Sequence, residues 1–397
     1  MKRILSAILV LFFLFTLFGC QNAPAPAGTL KETYPAENTS EPTTEATVQN
    51  ISSQLPMYTV SLPRTTETTQ AEDGKVIFQY IYQNISLILP EAEVADKITI
   101  DYLNHLDTIS AHTQTAIEDA KQAYITDNNM NPHFLQNTYS PFRLDGSVLS
   151  LYGDTVSYNG GAHPVYFGQS LNYDIVSGER LLLTDILQNG VTVSELLDKI
   201  EYAFSLDRAQ LTLFREYKDL LPYFIPTDLS ECTNWYFSRP GLSFFFSPGE
   251  LGPVSSGTIS VTIPYRELTK ILKDAYFPAE EMHNSGNISA QLFDTEKLSQ
   301  FERFSELVVQ PGSTKILLTA NTPMYHIRIS ETGAANSNAA PTKFDILYAA
   351  HTLSSKDAIL LEADFSSGHY VISYENFLGV QMFAIRVEGD KVYLDKF

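Results

Sequence analysis

Residues 156–187, VSYNGGAHPVYFGQSLNYDIVSGERLLLTDIL, constrain the fold more than any other part of the chain. One β run ends at Tyr158, Asn159-Gly160-Gly161 supplies a turn closed by His163-Pro164, and Val165, Phe167 and Leu171 begin a second run. The segment therefore predicts a hairpin with a tight loop. Asn172-Tyr173-Asp174 then runs into Ser177-Gly178, a second turn signal, ahead of a short helix over residues 184–187. The adjacent glycines predict backbone angles that a side chain would adopt only at a cost of about 1 kcal/mol or more each. Gly161→Val is accordingly expected to lower stability, and the loop to serve the fold before it serves any ligand.

On the N-terminal side, residues 58–62, 76–82 and 85–89 are strand candidates and residues 65–74 a polar loop. The period then changes. Val94, Ile98, Tyr102, Leu106 and Ile109 recur at three and four residues, predicting one long amphipathic helix that reaches about Ala123. Strands return over 138–144 and 147–156, joined across Asp145-Gly146. Beyond the opening stretch, Thr192 and Glu195 have capping-box spacing, and Val193, Leu196, Leu197, Ile200, Ala203 and Phe204 form the stripe of a helix running to about Leu213. Strands 235–237, 242–246 and 258–263 follow, and residues 264–268 open a last short helix.

Residues 278–287 are polar and acidic, as at a junction, and a short helix is expected around 295–304. Past it, Tyr325, Ile327 and Ile329 alternate with His326, Arg328 and Ser330; Phe344 with Ile346 and Ile359 with Leu361 repeat the pattern. Val387 and Val392 flank the turn Gly389-Asp390. The reading is an α+β fold, an antiparallel sheet packed with two main helices over residues 57–277, followed by a smaller all-β, sandwich-like domain over residues 291–397.

The N-terminus carries a different signal. Lys2 and Arg3, an apolar run over 4–18 and Gly19-Cys20 have the form of an export signal over residues 1–19, and Leu17-Phe18-Gly19-Cys20 resembles the bacterial lipobox. In it the cysteine is diacylated and becomes the new N-terminus, so Cys20 is the expected lipid attachment and two acyl chains suffice for a stable membrane anchor. Residues 20–56, rich in Pro, Thr, Ala and Glu, read as a disordered tether with a mean reach of roughly 30–35 Å. The expected location is the outer face of the cell membrane of a Gram-positive bacterium. With Cys20 acylated, Cys232 stands alone and is expected to be a buried small hydrophobe.

The chain carries 26 Lys+Arg against 46 Asp+Glu, a net charge of −20, and cleavage before Cys20 removes Lys2 and Arg3 and no acid, giving −22. Such a balance argues against a nucleic-acid partner. No G-x-S-x-G, S-x-x-K, H-E-x-x-H or H-x-x-x-H motif occurs. His105, His112 and Asp101 share a helical face on paper, although a solvated surface explains them as well. Asp127 opens a calcium-like loop that Pro132 and Thr138 spoil, which leaves a helix stop. Trp235 lies in a strand pattern and is read as core. No catalytic residue, metal ligand or cofactor is identified, and His163, between a glycine turn and a proline, is the one weak ligand-binding candidate.

Tyr158-Asn159-Gly160-Gly161-Ala162-His163-Pro164, Asn172-Tyr173-Asp174 with Ser177-Gly178, and residues 257–265 resemble the paired extracytoplasmic domains of unknown function in RsiV-type, lysozyme-binding anti-sigma factors and PdaC-type peptidoglycan deacetylases. The likeness spans about residues 57–276. The cytoplasmic part of the first and the deacetylase part of the second are lacking here. It implies an envelope binding or sensing protein whose ligand is a cell-wall glycan such as peptidoglycan, or a basic protein such as lysozyme. The alternative is an envelope hydrolase acting on glycans through carboxylates that no motif identifies.

Overall fold

A computed structural model describes residues 56–207, 213–279, 284–332, 344–367, 370–376 and 379–396. Cys20, the signal segment and the tether lie outside the described residues, as does the expected extension of the second helix to Leu213 apart from that residue itself. The described residues fall in one compact unit.

The N-terminal part contributes β1 (Thr59–Ser61), β2 (Arg64–Gln70), β3 (Val76–Gln83), β4 (Ser86–Ile88), helices α1 (Ala92–Ser110) and α2 (Thr113–Thr126), and the long strands β5 (His133–Leu144), β6 (Val148–Tyr158) and β7 (Val165–Asp174). A five-stranded sheet has the order β2-β3-β5-β6-β7, with β3 and β5 parallel and the rest antiparallel. Residues 65–74, expected as a loop, instead belong largely to β2. Four threonines give it β propensity, but as an exposed edge strand it buries no face and so shows no apolar alternation.

The single long helix is two. α1 buries Ala95, Ile98, Tyr102 and Leu106 against β5, β6 and β7, whereas α2 joins Ile117 and Ala120 to a separate cluster with Phe78, Tyr80 and Leu135. Between them Thr108, Ser110 and Thr113 each donate to a carbonyl three residues back, at 2.6, 3.0 and 2.6 Å. Hydroxyls that compete for helix carbonyls favour a bend at this point.

Next come α3 (Leu183–Ile186), α4 (Val193–Asp207), α5 (Tyr217–Leu220) and a three-stranded sheet of β8 (Trp235–Phe237), β9 (Gly241–Phe246) and β10 (Ile259–Pro264). The capping box forms: Thr192 N donates to Glu195 Oε2 at 2.8 Å, and Glu195 N to Thr192 Oγ1 at 3.3 Å. α4 and the small sheet enclose a core that includes Phe204, Trp235, Phe237 and Phe244. Cys232 is buried and free there, its thiol pushed up to about 12 by burial, which makes it inert.

Asn172 ties this layer to the large sheet. Its Oδ1 accepts from Ser150 Oγ at 2.6 Å, its Nδ2 donates to Trp235 O at 3.1 Å, and Ser150 Oγ accepts from Phe237 N at 2.9 Å. Asp174 closes the following turn by accepting from Val176 N and Ser177 N, at 2.8 and 2.9 Å. The Asn-Tyr-Asp segment is thus a joint between sheets.

The C-terminal part holds β11 (Ile288–Leu292), α6 (Thr295–Leu298), β12 (Arg303–Val308), β13 (Thr314–Ala320), β14 (Met324–Thr332), β15 (Phe344–Leu353), β16 (Asp357–Ala363), β17 (Tyr370–Asn376), β18 (Gly379–Glu388) and β19 (Lys391–Lys396). A four-stranded sheet, β11-β13-β16-β12, packs on a seven-stranded one, β19-β18-β17-β14-β15-β1-β4, around a core of Leu318, Ile327, Ile329 and Tyr348. All pairs are antiparallel except β12 with β16.

The second sheet contains two strands from the start of the chain. Thr59, Val60 and Ser61 pair with Ala350, Ala349 and Tyr348, and Leu62 N donates to Leu347 O at 2.7 Å. Arg64 reinforces the link through Asp345 at 2.6 Å and Glu331 at 3.2 Å. Strand pairing therefore crosses the boundary that composition places between 277 and 291.

At the β6–β7 turn it is Gly160 that carries a left-handed φ of +80°, and a Cβ there would sit 2.8 Å from His133 Nε2. Gly161 has no such angle, and its Cβ would meet only His163 O, at 3.9 Å. The cost expected at Gly161 thus moves to its neighbour. In thermal or urea unfolding, Gly160→Val is expected to lose about 1–2 kcal/mol or more and Gly161→Val a few tenths; equal losses would discount the geometry.

Candidate functional site

A cleft of about 490 Å³ opens where the β5–β6 turn meets β14 and β15. Tyr58, Pro141, Phe142 and Tyr325 contribute to its apolar wall, and Arg143, Asp145, Arg239, His326, Arg328 and His351 bring polar groups to it. A second hollow of about 370 Å³ shares Phe142, Arg239, His326 and Arg328 with it, so these four side chains stand between the two spaces.

Arg143 and Asp145 build the floor. The guanidinium donates to Asp145 Oδ2 at 2.6 Å, Tyr265 OH at 2.7 Å, Tyr276 O at 2.6 Å and Ser147 Oγ at 3.0 Å, and it lies 5.0 Å from the Phe237 ring. Asp145 Oδ1 accepts from the backbone of Ser147 and Val148, at 2.9 and 3.0 Å, which closes the hairpin turn. Burial pushes the Asp145 carboxyl up, but the Arg143 cation and the Ser147 hydrogen bonds outweigh it, so its pKa lies below the ordinary value. Each of these contacts is internal, and the pair is structural.

His326 and His351 face each other across β14 and β15, bracketed by the pairs Tyr325–Thr352 and Ile327–Ala350, with ring centroids 5.1 Å apart. Among the described residues His326 is the one non-glycine with a positive φ, 55°. Such a conformation costs about 1–2 kcal/mol, and here a clamp holds it. Buried Asn284 accepts from Tyr325 N at 2.6 Å and donates to Tyr325 O at 2.9 Å and to Glu375 O at 2.6 Å. Burial holds His326 neutral, pushing its pKa down to about 3, with Arg239, His351 and Arg328 adding to the effect. Burial lowers His351 in the same way. Arg328 is pushed down to about 10 by burial and then by Arg239, which itself pairs with Glu375.

This sets a pH dependence. A histidine whose native pKa lies below its unfolded value, ordinarily near 6.5, contributes stability that is complete above that value and is lost as pH falls toward the native pKa. Urea midpoints should fall from pH 6.5 to 4.5, with His326 supplying about 1 kcal/mol per pH unit. His326→Asn, which tolerates the backbone angle, should flatten the slope; an unchanged slope would rule out His326 as its source.

The residues singled out by sequence are not brought together. His163 is exposed at the far end of β6, about 33 Å along an 11-residue strand from the cleft-side turn. His105 Nε2 lies 2.6 Å from Tyr139 OH, His112 is exposed beside the helix bend, and Asp101 pairs with Arg180 at 3.1 Å and accepts from Tyr173 OH at 2.9 Å. Among the described residues no group of three or more His, Cys, Asp or Glu is placed to hold a metal. Asp127 ends α2, its Oδ1 accepting from Asn129 N at 2.9 Å, and Trp235 is buried with Nε1 on Cys232 O at 3.0 Å. No helix among the described residues is long and apolar enough to cross a membrane.

Sequence reasoning missed the cleft. Its one available signal was the alternation of His326 and Arg328 with Ile327 and Ile329, a strand with one apolar and one polar face.

Residues 184–266 match the family model described as Protein of unknown function (DUF3298). The segment spans most of α3 through β10 and supplies Arg239 to the cleft. A solved member of that family from Bacteroides fragilis NCTC 9343 is similar at 16% identity and a TM-score of 0.43, covering 55% of this chain and 94% of that one. A DUF3298 family protein from Pseudomonas aeruginosa PAO1 is similar at 16% identity and a TM-score of 0.36, covering 56% and 97%. No curated protein matches.

Proposed function

We propose that the protein is a lipid-anchored, extracytoplasmic binding protein of the cell envelope, and that its cleft takes a fragment of a cell-wall glycan. The makeup of the cleft carries this reading: about 490 Å³, with Tyr58, Phe142 and Tyr325 in the walls and a few convergent polar groups. Small-ligand sites have this size and composition, and aromatic faces suit the apolar faces of sugar rings. The strained, clamped His326 adds a reason for a built site, since such conformations cluster where ligands are held. The lipobox at Cys20, the polar stretch behind it and the likeness to RsiV-type and PdaC-type domains support the location.

Hydrolysis is the weaker reading. Asp145, the one carboxylate among the described residues lining the cleft, has a lowered pKa and is spent on Arg143 and the turn, whereas a glycosidic general acid needs a raised one. A basic protein such as lysozyme is a poor occupant of a cleft that presents Arg239 and Arg328.

The test is retention of solubilised peptidoglycan fragments by the full-length protein in detergent, with a parallel lysozyme arm. Gly146→Phe would block the cleft, because a Cβ there meets only Tyr58 OH, at 3.7 Å, in a backbone without positive φ. Wild type should retain fragments and Gly146→Phe should lose them with melting unchanged. Retention untouched by the substitution would move the site elsewhere, and capture of lysozyme alone would replace the glycan reading. Cys20→Ala should abolish fatty-acid labelling.

A further inference from the structure

We infer that the cleft captures an anionic oxygen group of its ligand, a carboxylate or a phosphate, on the guanidinium of Arg328 with the ring of His351 beside it. The inference rests on the reading of the cleft as a ligand site and names the chemistry that site selects. The first observation is an incompletely used cation. Arg328 has five N–H donors, and among the described residues its hydrogen bond is Nη2 to Phe142 O at 3.1 Å, with no carboxylate in ion-pair contact.

The second is a buried polar atom without a partner. His351 Nδ1 makes no hydrogen bond among the described residues, although its ring is held among Tyr58, Tyr325 and His326 at centroid distances of 5.9, 6.4 and 5.1 Å. Buried polar atoms are nearly always satisfied, and this one is closed to solvent, so the ring has to turn toward the cleft before a ligand atom completes the set. A neutral imidazole in the Nδ1–H tautomer donates there.

The third is position. Arg239, held by Glu375, lies close enough to depress Arg328, and the Glu375 carboxylate acts on Arg328 in the opposite sense but less strongly, so a net repulsion between the two guanidinium groups is left. An anion between them removes that repulsion. Arg328 also belongs to the wall shared by the 490 and 370 Å³ hollows. The anionic group would therefore sit mid-ligand, with uncharged parts filling the space on either side. Muramyl carboxylates and the phosphates of anionic wall polymers both have this character.

The experiment titrates sodium acetate, inorganic phosphate, a muramyl peptide and neutral chitotetraose into the full-length protein in detergent, following histidine ring NMR signals and melting temperature. Acetate or phosphate should shift the signals of His351 and His326, and the muramyl peptide should bind more tightly than chitotetraose. Arg328→Gln should weaken the muramyl peptide roughly tenfold to a hundredfold, and Arg328→Lys less. Whichever anion competes at the lower concentration identifies the carboxylate or the phosphate as the natural group. Chitotetraose binding as tightly as the muramyl peptide, with no response to either anion, would overturn the inference while leaving the cleft as a glycan site. If no probe moves the ring signals and Gly146→Phe retains wall fragments, both readings fall.

Discussion

Arg143→Ala is expected to lower the stability of the protein by about 3–5 kcal/mol, read as a fall in the urea midpoint at unchanged m-value. The side chains of Arg143 and Asp145 are only 3% and 9% exposed, and alanine leaves the Asp145 carboxylate buried without its cation. The same substitution removes donors from Tyr265 OH, Tyr276 O and Ser147 Oγ, at 2.7, 2.6 and 3.0 Å. The loss therefore spreads from the β5–β6 turn to the segment after β10, which this guanidinium ties to the large sheet. Arg143→Met with Asp145→Asn should recover part of it, because the amide oxygen still accepts from Ser147 N and Val148 N while no charge is buried. A loss below about 1 kcal/mol for the single variant would mean that the pair is no more than a surface ion pair.

Separating the chain at the 278–291 boundary is expected to cost the C-terminal part its cooperative unfolding. A fragment of residues 284–397 lacks β1 and β4, which leaves β15 as an unpaired edge strand with Leu347 and Ala349 on it. Arg64 goes too, leaving the Glu331 and Asp345 carboxylates without it. An apolar edge of this kind recruits other chains. The fragment should aggregate or show a broad transition, whereas co-expression with residues 56–279 should restore a single one. Proteolysis near residue 280 is compatible with this, provided that the nicked pieces elute together under native conditions. A soluble 284–397 fragment with a sharp transition of its own would show that the two parts fold apart.

Much of the architecture was legible because it is encoded by neighbours in sequence. Asp145-Gly146 and Gly389-Asp390 turn their hairpins, Thr192 and Glu195 cap a helix, and Asp174 with Gly178, at φ +73°, closes the turn after β7. Each is a contact over two to four residues, so residue type and spacing specify it. Where no short-range contact decides, the reading failed. β2 exists because β3 offers it a partner, and the α1–α2 bend falls where the apolar stripe passes from one core to another.

The candidate site belongs to this second class. Period-two alternation placed Ile327 and Ile329 on one face of a strand and His326 and Arg328 on the other, but it does not say what covers the polar face. Chain reversal alone brings Arg143, Arg239, His326 and His351, from four separate segments, to one cleft. Residue type and spacing suffice for the hairpins, the helix cap, the α+β class and the alternating faces of the C-terminal strands, because those follow from backbone geometry and from turn and cap chemistry within a few residues. Which strands share a sheet, which polar face is walled in rather than solvated, and which arginine is left with donors to spare emerge only in the folded chain, because each depends on packing between residues tens to hundreds of positions apart.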